Sequence, residues 1–157
     1  MGPGTDIIAG CRPANAGDPL IALILNRTNG AIVATVAGGG GGDQIEYDAA
    51  TNRYYNAASR WIAGGTNKLG GGCSATNVCS PSITIIDAAS RTVALQLPTG
   101  NNAHGLAVDG VNKKVFNPIS SAATPAGCGT CKDTHYVLPG GGVSDFTNGG
   151  VAIFATQ

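Results

Sequence analysis

The chain has 157 residues, enough for one domain with a real core, and its nine basic and nine acidic side chains balance. That balance leaves no basic field to attract nucleic acid or an anionic membrane, so neither partner is expected. Twenty-five glycines stand between short apolar runs and aromatics make up 5% of the chain, a composition that fits many short strands joined by tight turns.

In chain order, residues 5–9 read as the end of a unit. Residues 20–25 form an apolar strand, 26–30 a turn, 31–37 a second strand, and the glycine run 38–42 a link, before further strands at 44–47 and 53–56. The order then returns with strands at 82–87 and 92–97, a link at 98–102, and strands at 105–108 and 114–117. Residues 151–154 open a third unit. The return is a 61-residue repeat needing no gap between Ala22 and Asn56: Val36 corresponds to Leu97, Asp43 to His104, Asp48 to Asp109 and Asn56 to Asn117. A repeat that copies strands, turns and spacing together is a supersecondary unit that needs neighbours to bury its faces.

The expected fold is all-β, with propeller-type blades of four antiparallel strands, incomplete in one chain. Residues 1–157 make a single domain, with units at about 20–81 and 82–150 and a partial unit at 151–157. A blade takes about 40 to 50 residues, so 59–81 and 121–150 read as surplus loops joining one unit to the next. Closed propellers use about four or more blades, and two would leave long sheet edges exposed. A homo-oligomer that completes the propeller is therefore expected.

Cys11, Cys73, Cys79, Cys128 and Cys131 all fall in glycine-rich connections, the placement of loop disulfides in an oxidising compartment. Residues 1–10 lack the charged start and apolar stretch of a secretory leader. An extracytoplasmic location is the expectation if a leader is missing from this sequence. Cys128 and Cys131 with His135 also offer half a zinc site, against which the long spacing to Cys73 and Cys79 weighs in favour of disulfides.

The run Ile83-Thr84-Ile85-Ile86-Asp87, then Val93, Pro98-Thr99-Gly100, His104-Gly105-Leu106-Ala107-Val108-Asp109 and Lys114-Val115-Phe116-Asn117 resembles the repeats of SMP-30/gluconolactonase-like and YVTN-type propellers. The resemblance covers residues 20–120 and 150–155. It implies that the residue before each innermost strand reaches the central axis and helps hold a divalent metal, usually calcium. The matching positions are Asp43 and His104, with Asn102 as a further metal candidate. His104 departs from the family's Asn or Asp, and imidazole suits a general base or a transition metal better than calcium.

The implied activity is metal-dependent hydrolysis of a small-molecule lactone or similar cyclic ester, with Asp43 and His104 as catalytic residues that activate water. The alternative is a noncatalytic propeller module that binds or scaffolds through its long cysteine-containing loops. For Asp43 and His104 singly, the plainer reading is a turn residue bonded to backbone. Residues 38–42 lack the Lys-Ser/Thr of a phosphate loop, and no Gly-x-Ser-x-Gly elbow is present. Glu46, whose repeat mate is Ala107, either lines the axial channel or sits at an oligomer contact.

Overall fold

The structure, a computed structural model, describes residues 1–11, 18–58, 82–99, 103–119, 135–137, 143–145 and 150–156. The described residues are all-β, and every sheet is antiparallel. The first sheet contains β1 (Asp6–Cys11), β2 (Ile21–Asn26) and β3 (Ile32–Ala37) in that order. The second is a four-stranded meander of β4 (Gln44–Asp48), β5 (Arg53–Ala58), β6 (Ser82–Asp87) and β7 (Thr92–Pro98), the form of a propeller blade. The third sheet joins β8 (Ala107–Asp109) to β9 (Lys114–Ile119), while β10 (His135–Val137) and β11 (Val143–Asp145) pair separately. β12 (Gly150–Ala155) completes the third sheet against β9. None of the described sheets closes into a barrel, and no described helix is long and apolar enough to cross a membrane.

Repeat boundaries and sheet boundaries differ. The four-stranded sheet takes two strands from the end of one repeat and two from the start of the next. Segment 59–81 therefore separates β5 from β6, which are partners inside one sheet, and residues 120–149 separate the partners β9 and β12. This corrects the expectation that these segments run between blades. The passage from the first sheet to the second is instead the short glycine run 38–42. Likewise β12, at the start of the partial third repeat, pairs residue for residue with β9 of the repeat before it, as β6 does with β5.

Local turn chemistry repeats with the strands. Asp48 accepts the backbone N–H of Ala50 at 3.0 Å, and its repeat mate Asp109 accepts those of Val111 at 3.0 Å and Asn112 at 2.9 Å. Hydrogen bonds from Asn112, side chain first, hold the Asp109 carboxyl below its ordinary pKa, and the Ser90 N–H does the same for Asp87. The left-handed position of the β4–β5 turn holds Asn52 at φ 53°, and that of β8–β9 holds Lys113 at φ 55°.

Two apolar clusters fasten the three sheets as a stack. Ala22, Ile24 and Val36 of the first sheet meet Tyr54, Ile86 and Ala88 of the second. From the other face of the second sheet, Tyr55, Ala57, Ile83 and Ile85 meet Leu106, Val115, Ile119, Ala152 and Phe154 of the third. Side chains alternate across each strand, so every sheet has a leading face toward the sheet after it and a rear face toward the sheet before it.

Candidate functional site

β4 and β8 are the edge strands of neighbouring sheets and lie against one another. Their entrance is set by the glycine run. A Cβ on Gly40 would lie 2.2 Å from the Ile21 carbonyl oxygen, and one on Gly42 would lie 1.6 Å from Asn56 Oδ1, so neither position accepts a side chain as packed. Asn56 is fully buried and donates through Nδ2 to the Gly39 carbonyl at 2.7 Å, pinning the link to β5. Its mate Asn117, also fully buried, donates to Gly105 O at 2.6 Å and accepts from Thr99 Oγ1. These asparagines are buried pegs that tie each link to the second strand after it.

Asp43 follows the run, its backbone N–H bonded to Ala57 O at 3.3 Å. Its carboxylate Oδ2 pairs directly with His104 Nδ1. The two positions that the repeat equates are thus brought together across the seam between two sheets. The pair is open to solvent, with the side chains of His104 and Asp43 37% and 61% exposed. With Asp43 accepting from Nδ1–H, Nε2 is the basic nitrogen of the imidazole.

Beside the pair, the side chains of β4 bond to the backbone of the β8 segment. Gln44 Nε2 donates to Leu106 O at 2.8 Å, and Leu106 N–H returns a bond to Gln44 Oε1 at 3.1 Å. Val108 N–H donates to Glu46 Oε2 at 3.0 Å, and Gln44 Nε2 also reaches Glu46 Oε1 at 3.0 Å. Glu46 therefore acts within the seam between the second and third sheets. Sequence reasoning passed over Gln44; the signal was that Gln44 and Glu46 are paired by the repeat with Gly105 and Ala107, which have nothing to reach with.

Asn102 lies outside the described residues, as do Cys73, Cys79, Cys128 and Cys131 and the disulfide and zinc expectations that rest on them. Cys11 is unbridged and half-buried on β1. Among the described residues no group of three or more His, Cys, Asp and Glu side chains gathers. Calcium takes six to eight oxygen ligands. Asp43 supplies a single carboxylate and engages it with the imidazole, so the described residues do not by themselves compose a calcium cage.

No known protein family and no curated protein matches the chain.

Proposed function

We propose that the chain is a hydrolase of a lactone or similar cyclic ester, with His104 as general base and Asp43 as its orienting partner. The observation that carries this reading is the Asp43–His104 pair, formed by repeat-equivalent residues at the entrances of two edge strands and left open to solvent. His104 Nε2 takes a proton from water as the water oxygen bonds to the ring carbonyl carbon. The ring C–O bond then breaks, and the imidazolium returns the proton to the departing alkoxide. Asp43 holds the tautomer and stabilises the imidazolium between these steps. A divalent metal such as the calcium implied by the family resemblance would polarise the carbonyl, but the described residues offer it one carboxylate, already engaged with His104.

The test is turnover of a panel of five- and six-membered lactones by wild type and His104→Ala, each with and without chelator. A loss of roughly 100-fold or more in His104→Ala is expected. Equal rates in the two proteins overturn the dyad, and chelator-sensitive turnover returns the reaction to a metal. A second reading, a noncatalytic binding or scaffold module, draws on the exposed apolar side chains Val151 and Ile153 of the third sheet; absence of turnover across the panel would select it. The cysteine placement supports an extracytoplasmic location, which thiol counting on protein recovered from its own compartment would check.

A further inference from the structure

The stack ends on one face whose cover the chain itself specifies. On the second sheet, Ile83 and Ile85 stand opposite Ala57 and Tyr55 on the leading face and are buried by the third sheet, at 1% and 6% exposure. On the third sheet the same register places Val151 opposite Pro118 and Ile153 opposite Phe116, the repeat mates of Ala57 and Tyr55. Val151 and Ile153 are 53% and 56% exposed. The positions match, the chemistry matches, and only the covering sheet differs.

What covers such a face inside the chain is the rear face of another sheet, both times. The first sheet also has a rear face. By strand pairing, Ile7 takes the place of Tyr54, Ala9 that of Asn56, and Leu25 that of Ile86. Tyr54 and Ile86 are fully buried against the first sheet, whereas Ile7 and Leu25 are half-buried, Ala9 is exposed, and none of the three belongs to either core cluster. The second sheet lies between the first and the third, so among the described sheets this rear face does not meet the open leading face of its own copy.

We propose that Phe116, Pro118, Val151 and Ile153 of one copy dock on Ile7, Ala9 and Leu25 of a second copy, head to tail. A heterologous contact of this kind closes into a ring where the rotation allows and otherwise continues as a filament. Two copies, with three stacked sheets from each, bring six sheets round one axis, within the four to eight blades of closed propellers. The inference is independent of the proposed hydrolase activity.

Sedimentation of the full chain at up to about 100 µM, a range that covers micromolar association, tests it. Wild type is expected as a discrete dimer. Ile153→Asp on the leading face and Ala9→Glu on the rear face each alter an exposed side chain, so both variants keep the wild-type circular dichroism, while their melting temperatures lose the concentration dependence that association gives wild type. Each is expected to weaken association at least about tenfold. The double variant is expected to be monomeric. A wild-type monomer throughout that range overturns the proposal. So does wild-type assembly of Ala9→Glu, since two third sheets pairing with each other would be indifferent to the rear face.

Discussion

The seam between the first and second sheets and the seam between the second and third use equivalent positions and different chemistry. At the first, Tyr54 packs with its ring centroid 5.2 Å from that of Tyr47, and Arg91 pairs with Asp6 at 3.0 Å. At the second, the mates of these tyrosines are Val115 and Val108, and the edge strands are laced by Gln44, Glu46 and the Asp43–His104 pair. The repeat conserves what one sheet needs to fold. Each seam is free to vary, because its partners sit about a whole repeat apart and answer only to one another.

Alkaline pH should separate the seams most strongly. Burial, then the charges of Asp6 and Tyr47, push the Tyr54 hydroxyl from 10.0 up to about 12, against a smaller pull from Arg91. The folded state thus holds the proton more tightly than the unfolded chain. This contribution to stability is complete below about pH 10 and is lost as pH rises toward 12, by about 3 kcal/mol. Tyr54→Phe should remove that loss in denaturant melts between pH 9 and 12, the range spanning both values. At neutral pH it should cost little, since the buried hydroxyl lacks a hydrogen-bond partner.

The two asparagine pegs give the next contrast. Asn117→Ala strands both Gly105 O and the Thr99 hydroxyl and should cost about 2–3 kcal/mol, whereas Asn56→Ala, whose Oδ1 is already unpartnered, should cost about 1–2 kcal/mol. Urea melts of the two variants would read the difference. Gln44→Ala, which removes both bonds to Leu106, should cost roughly 1 kcal/mol and speed amide exchange at Leu106 while leaving residues of β1 to β3 unchanged. The smallest effect is expected at Lys113, held at φ 55°, where Lys113→Gly should gain up to about 1 kcal/mol.

Much of this was legible in the chain. The 61-residue period placed the strands of both repeats to within a residue or two, and it alone singled out Asp43 and His104 as mates, which the structure pairs. The period does not say where one sheet stops, because a repeat has the same length wherever it is cut; for that reason 59–81 reads as a join between blades, although β5 and β6 on either side of it share one sheet. Residues 105 and 106 read as strand from their pattern, yet Gln44 occupies both backbone groups of Leu106, and the ladder starts at Ala107. Gln44 itself was invisible to patterning, since a polar residue on an edge strand looks like a solvated one until its neighbour is placed.

The most direct measurement is the single-turnover hydrolysis rate of the best lactone in the panel, compared for wild type, His104→Ala and Asp43→Asn at saturating enzyme. A fall of roughly 100-fold or more in His104→Ala, with a smaller fall in Asp43→Asn at unchanged lactone affinity, is the predicted result. Rates that stay within a few-fold of wild type in both variants would contradict a catalytic dyad and leave Asp43 and His104 as a fastening between two sheets.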